Sequence, residues 1–379
     1  MFDDFKRLFS RDPLKHRFCG NPWTYAEIVG GGGVHICCPV FTGGKQVGNI
    51  FENTPEEIWN SYQAQLFRET ILDGTYSQCD REKCPYIYGG ALPTRKEVSS
   101  SWLAADLVPA IKEKRTVLSH GPRVVKLAYD ASCNLWCPSC RSELMLAKKP
   151  EQDRLRKVRD EFIIPFLKDA RVLTLSGDGD PFGSNHYREI MKLSHEQLPK
   201  LKIALHTNGV LLDQRAWDDC KLDGRVGNIH ISVDATTAET YNYTRRGGDF
   251  ARLMTNLEWL AAKFRTRGFG SYHLIFVVQT QNFREMPDFI RLGRRLGVNS
   301  VLFSPIDHWA RGMSDAEYRH QKIWGPEHPL NSEFLTMLED PIFDDPIVDM
   351  SSRPLFLANR QPPEVKVGAT GGFVTPTPY

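Results

Sequence analysis

At 379 residues, 41% hydrophobic and 25% charged, the chain is long enough for two or three compact domains and too apolar for disorder along its whole length. Its 48 Lys and Arg against 46 Asp and Glu leave a formal charge of +2, which creates no basic field for non-specific phosphate binding and sets nucleic acid aside as a partner. No run approaches the ~20 apolar residues of a bilayer span, and the opening MFDDFKRLFSRDPLKHRF mixes acids and bases among its apolar residues, so it has no uninterrupted apolar core of signal-peptide type. No membrane partner and a cytoplasmic location are therefore expected.

In chain order, Phe2, Phe5, Leu8 and Phe9 recur at helical spacing and predict a short helix docked on the protein's own core. Residues 19–84 follow no regular alternation. A Gly30–Gly33 run, the pair Gly43-Gly44 and the strand-like pieces AEIV and VHICC predict a hairpin, and Thr54-Pro55 opens a helix in TPEEIWNSYQAQLFRETILDG. Residues 1–90 thus form a small module, followed by a connector over 91–120 with one helix near 103–114. Five of the nine cysteines, at 19, 37, 38, 79 and 84, fall in the module; Cys133, Cys137 and Cys140 form a second group, and Cys220 stands alone in a helical pattern as a structural thiol. An odd total with tight clustering points to metal rather than to a disulfide framework.

From about 121 to 310, short β-rich runs alternate with helical patterns. Candidate strands cover 124–130, 171–176, 201–206, 228–234, 272–279 and 300–305, and candidate helices 153–168, 186–197, 211–221, 249–266 and 283–296. The strands are nearly continuous in apolar character, as in a parallel sheet covered on both faces. Asp249 is placed as N-cap before the stripe Phe250, Leu253, Leu257 and Leu260. This alternation predicts an α/β fold, either an open doubly wound sheet or a partial barrel, with the chemistry on loops after the C-terminal ends of the strands. Residues 311–360 read as a helical extension with a closing helix at 331–340, and 361–379, rich in Pro, Gly and Thr, as a flexible tail.

Directly after the first of these strands, ASCNLWCPSCRSE sets Cys133, Cys137 and Cys140 in a CxxxCxxC spacing. Three thiolates on one short loop, with no fourth Cys near in sequence, leave a coordination position of a bound cluster or metal open to a small molecule; a zinc ion borrowing a distant His or Cys is the alternative. The motif at this place resembles the radical S-adenosylmethionine (SAM) enzymes, in which three Cys hold a 4Fe-4S cluster and SAM chelates the fourth iron. That resemblance implies a partial (β/α)6 TIM-like barrel, and it extends to further strand ends. LSGDGDPF (175–182) is similar to the family's GGEP-type segment, which puts Asp178 in the turn and makes Gly179, Asp180 and Pro181 cofactor-binding candidates through carbonyls suited to an ammonium group. His206 in HTNG, Ser232 and Asp234 in SVDA, Arg246 or its neighbour Arg245, and Gln279 complete the cofactor-binding candidates. Gln279, Ser304, Asp307 and His308 are also substrate-pocket candidates by position, and no catalytic residue is assigned.

The stretch CGNPWTYAEIVGGGGVHICCPV, the GN-I and EEIWNS segments and the closing CDREKCPY resemble the SPASM or shorter twitch module that many of these enzymes carry. This implies an auxiliary 4Fe-4S cluster held by Cys19, Cys37, Cys79 and Cys84, with Cys38 as the alternative to Cys37 and a zinc knot as the alternative to a cluster. In better-known members the module follows the barrel; here it precedes it. Together the resemblances span about residues 19–310 and imply an oxidoreductase or maturase that reductively cleaves SAM and abstracts hydrogen from a peptide or protein. The implied reductant is a carrier such as flavodoxin or ferredoxin. The same chemistry on a carbohydrate-type or other small metabolite is the second reading, and a non-catalytic zinc or iron-sulfur scaffold the third.

Overall fold

The computed structural model describes residues 14–175, 178–308 and 312–357; the expected N-terminal helix around Phe2–Phe9 and the tail from 361 lie outside them. The chain divides into two compact units. One comprises the chain through Asp130 with Lys148–Asp178 and Leu193–Leu201, the other Ala131–Ala147, Gly179–Lys192 and the chain from Lys202 on.

In the first unit, β1 (Tyr25–Val29) pairs antiparallel with β2 (Gly33–His35), and β2 with β3 (Gly48–Asn49). The turn between β1 and β2 needs glycine, because Gly32 has φ +83° and a Cβ there would meet the Phe51 ring at 2.5 Å. On its other edge β1 runs parallel to β4 (Val124–Ala128), and β4 parallel to β5 (Val172–Leu175). The hairpin of the cysteine module and the first strands of the alternating region therefore share one sheet. Ala26, Ile28, Val125, Leu127, Leu173 and Leu175 form its fully buried face. The opposite face carries the row Glu27, Lys126 and Thr174, in which Lys126 Nζ lies 2.9 Å from Glu27 Oε1.

Thr54 and Glu57 form a reciprocal capping box at the start of the helix Pro55–Trp59, where Thr54-Pro55 predicts it, and Ser61 caps Tyr62–Leu72. The helix expected over 153–168 is instead Lys149–Val158, a π-turn at Arg159–Ile163 and a last turn Ile164–Phe166. Pro165 has no N–H for the carbonyl four residues earlier, so the ladder widens there.

The second unit holds β6 (Lys202–Thr207), β7 (Val226–Ser232), β8 (Ser271–Val278), β9 (Ser300–Pro305) and β10 (Val348–Asp349), side by side and all parallel. β10 comes from the stretch read as a helical extension; two residues are too few to show a strand period in sequence. The helices Phe250–Arg265 and Met286–Leu296 pack Leu253, Leu257 and Phe289 among Ile229, Ile231, Leu274, Phe276 and Phe303. Asp249 Oδ1 accepts from Arg252 N as the expected N-cap. On the other face of this sheet His206, His230 and His273 stand in register across β6, β7 and β8. Among the described residues no helix is long and apolar enough to cross a membrane.

Candidate functional site

Past β4 the chain enters an irregular loop whose shape is set by its own hydrogen bonds. Cys133 N donates to Met145 O (2.9 Å), Ala147 N to Ser132 Oγ (3.0 Å), and Cys140 N and Arg141 N both to Cys137 O. Arg141 reaches back to Ala131 O at 2.6 Å. The loop brings Cys133, Cys137 and Cys140 together around the buried Leu135. Burial pushes the Cys133 thiol up to about 12, with Asp180 adding to the rise, and burial likewise raises Cys137, against which Arg245 works. Thiols so placed need a cationic centre between them to ionise, which is what an iron cluster supplies.

Asp180 ties three loops together. Its amide donates to Ser132 O (2.9 Å), while Oδ1 accepts from Phe182 N (2.9 Å) and Oδ2 from Thr207 Oγ1 and Asn208 N (both 2.7 Å). Its carboxylate and its carbonyl, which accepts from Gly183 N (3.1 Å) and Ser184 N (3.0 Å), are thus spent on the scaffold, and of this turn the backbone of Gly179 and Pro181 is left for a ligand. Asn208, which the sequence offered merely as part of HTNG, directs its Nδ2 to Asn134 Oδ1 (2.9 Å) and toward Cys133 Sγ (3.8 Å).

At the end of β7, Asp234 adopts φ +64°, a left-handed conformation that Asp tolerates better than most residues. Its Oδ1 accepts from Val277 N (2.7 Å), its Oδ2 lies 2.8 Å from Arg245 NH2, and its carbonyl accepts from Asn282 Nδ2. Against the cost of burial, Asp234 and Cys137 hold the Arg245 guanidinium above its ordinary value, while burial raises the Asp234 carboxyl, against which Arg245 works. Arg245 NH1 points to Cys137 Sγ at 3.9 Å, and its Nε is buried without a hydrogen-bond partner. Arg246 is exposed and contributes its carbonyl, which accepts from Trp136 N. His206 Nε2 is 2.9 Å from Ser232 Oγ. Gln279 is buried at the end of β8, and Asp307 and His308 stay near the surface.

A second thiol set lies in the first unit. Cys19 interacts with Cys37, Cys79 and Cys84, and Cys37 with Cys79 and Cys84, whereas the charged neighbours of Cys38 are Glu27 and Lys126. Adjacent residues point to opposite sides, and Cys37 is the one that joins the set. Burial pushes Cys37 up to about 12 and Cys79 up to about 11, and Asn21 Nδ2 lies 3.7 Å from Cys37 Sγ. Among the described residues no three His, Cys, Asp or Glu side chains converge as ligands of a single ion; the grouping, burial and neighbours of the thiols are what define these two sets. Cys220 is fully buried in the second unit, away from both.

Residues 131–293 match the Radical SAM superfamily. That stretch is a Radical SAM domain. Residues 19–85 match SPASM, an iron-sulfur cluster-binding domain, so this radical SAM protein carries its SPASM module ahead of the barrel domain, on an α/β fold of partial-barrel type. The cofactors that go with the two domains are 4Fe-4S clusters and SAM. The three-thiol loop and the four-thiol set fit them in number and burial, and the iron-sulfur match decides against the zinc alternatives.

The chain is 28% identical over 172 residues to the mycofactocin maturase MftC of Mycobacterium ulcerans, covering 44% of this chain and 42% of that protein. It is 27% identical over 129 residues to a GTP 3',8-cyclase of Alkaliphilus metalliredigens, covering 33% and 39%. The chain thus spans about two fifths of the length of these relatives. Among solved structures, SAM-bound SuiB of Streptococcus suis superposes with a TM-score of 0.41 at 13% identity, over 76% of this chain and 60% of that one.

Proposed function

We propose that this chain reductively cleaves SAM at a 4Fe-4S cluster held by Cys133, Cys137 and Cys140 and abstracts hydrogen from a peptide or protein substrate. The observation that carries the reading is the grouping of those three cysteines on one loop, with Asn208 and Asp180 beside Cys133 and the Arg245–Asp234 pair beside Cys137. When bound, the cluster and SAM supply the radical that takes the hydrogen atom. The protein's residues bind and orient. Arg245, aimed by Asp234 and with its Nε unpartnered, is placed to take a carboxylate, a role the exposed Arg246 side chain does not share. Gly179 and Pro181 offer backbone carbonyls to an ammonium group, while Asp180, its carbonyl already bonded to Gly183 N and Ser184 N, holds the turn; Ser232 with His206 offers polar atoms to a ribose. Asp180 and Asn208 hold the cysteine loop, and the buried Leu135 and Tyr241 keep water from it.

Cys19, Cys37, Cys79 and Cys84 hold the auxiliary cluster in this reading, electrons come from a small carrier such as flavodoxin or ferredoxin, and the protein works in the cytoplasm. A relative named a maturase is the support for a peptide or protein as substrate, and a relative named a GTP 3',8-cyclase is the support for the small-metabolite reading. The test is anaerobic reconstitution followed by iron and sulfide analysis, then addition of dithionite and SAM with detection of 5'-deoxyadenosine. Wild type is expected to hold about eight irons, and the Cys133, Cys137, Cys140 triple Ala variant about half of them with no 5'-deoxyadenosine. Full iron retention in the triple variant, or zinc as the sole metal, would sink the proposal.

A further inference from the structure

Beside the cysteine loop, in the second unit, lies a cavity of about 320 Å³. Pro138, between Cys137 and Cys140, forms one wall, Gln279 and Tyr243 another, and Gly312 with the helix Asp315–Gln321 a third. Gly312 comes so close that an added Cβ would lie 2.6 Å from Pro138 O and 2.8 Å from the Cys140 carbonyl carbon. That wall is therefore fixed against the loop, and no larger residue is accommodated there.

Two glutamines on this cavity are incompletely bonded. Gln279 is 3% exposed and Gln321 5%, yet Gln279 Nε2 and Gln321 Oε1 have no hydrogen-bond partner. Other atoms of both residues are anchored. Gln279 N donates to Asn282 Oδ1 (2.9 Å), Gln321 Nε2 donates to Tyr243 OH (3.1 Å), and Thr280 N donates to Gln321 O (3.1 Å), which holds the two residues as neighbours. A buried amide atom left unpaired is unfavourable, and two such atoms, covered in this structure but carried by residues that line one cavity, mark a place where a ligand completes the bonding. Their terminal torsions are soft, so each amide can turn toward the cavity.

One donor and one acceptor on adjacent walls are the complement of a peptide group, whose C=O meets Nε2 and whose N–H meets Oε1. Half a turn of both amides exchanges donor for acceptor on each wall, and a peptide group running the other way then pairs, while the Tyr243 hydroxyl, which donates or accepts, keeps its bond to Gln321. We propose that this cavity is the subsite that seats a backbone peptide group of the substrate beside the loop of Cys133, Cys137 and Cys140, with Gln279 and Gln321 reading it. This rests on the reading of the chain as a radical SAM enzyme acting on a peptide, and it names the recognition element.

The test uses holoenzyme with both clusters and SAM, titrated anaerobically with acetyl-Gly-Ala-Gly-N-methylamide, with the same peptide methylated at every backbone nitrogen, and with maltotriose. Binding is read from the shift in thermal midpoint. The expected result is binding of the unmodified peptide alone, and about tenfold weaker binding in Gln279→Leu and in Gln321→Leu, the equivalent of one hydrogen bond each. Equal binding of the N-methylated peptide, preference for maltotriose, no binding of any probe, or unchanged affinity in both variants overturns the proposal. Iron content checks that each variant is folded; if a variant loses its clusters, the wild-type comparison of the two peptides decides. Absence of 5'-deoxyadenosine with dithionite would instead remove the radical SAM reading, an outcome separate from any amide preference.

Discussion

Arg68 shows how much of the first unit hangs on one side chain. It is fully buried, and its guanidinium donates to Pro22 O (2.8 Å), Thr116 O (2.6 Å) and Trp59 O (2.8 Å) while lying 4.9 Å from the Trp59 ring. Burial lowers it to about 9, so it is still a cation at neutral pH, satisfied by carbonyls rather than by an acid. Arg68→Met keeps the volume and leaves three carbonyls without a donor, and is expected to destabilise the protein by about 3 kcal/mol in urea unfolding; a change within experimental error would mean that water replaces the guanidinium. Nothing in FRETILDG marks this Arg as different from a surface one. The site residues were legible where chemistry fixes spacing, as in Cys133, Cys137 and Cys140. They were not legible where a contact joins distant loops, as with Asn208 and Cys133, or where one of two adjacent arginines turns inward, as Arg245 does.

At the scale of elements, the alternation between 124 and 305 is readable because each strand there is a run of apolar residues bounded by loops. The parallel pairing of β1 with β4 is not, since partners about a hundred residues apart leave no local trace. The histidine row across β6 to β8 is likewise visible only once the register is known. His230 stacks on His273 with centroids 4.6 Å apart and lies 6.2 Å from His206. Burial first, then His273 and His206, lower His230 to about 3, while Asp349 on β10 acts on His273. The unfolded chain, with an ordinary imidazole pKa of about 6.5, takes up a proton that the folded chain refuses. Stability from this group is therefore complete above pH 6.5 and is lost as pH falls from there toward 3, with a slope of at most about 1.4 kcal/mol per pH unit. Urea midpoints followed from pH 7.5 to 5 should decline less steeply in His230→Gln than in wild type, and identical slopes would assign the decline to other groups.

For the whole molecule, the division into units coincides with the division of the thiols. The three-cysteine loop, Asp180, Asn208, Asp234 and Arg245 all belong to the second unit, and Cys19, Cys37, Cys79 and Cys84 to the first. If each set holds a cluster, as proposed, either cluster can be lost without a ligand of the other being removed. In the proposed reading the four-cysteine set closes long loops of a module whose strands are only two to five residues long, so a cluster there would cross-link segments around the core of Phe18, Trp23, Ile58 and Phe67. Cys79 N donates to Tyr76 O, and Asp80 N to Phe41 O, which ties the Cys79 segment to the stretch just after Cys37. Cys79→Ala should therefore loosen this stretch as well as drop the auxiliary cluster, leaving about half the iron. Because no ligand of the second unit changes, 5'-deoxyadenosine formation with dithionite should persist, while turnover with substrate should fall much further. Both activities and the iron content are measured on one preparation. Loss of nearly all iron would show that the two sets are not independent, and full substrate turnover would show that the module serves something other than the reaction.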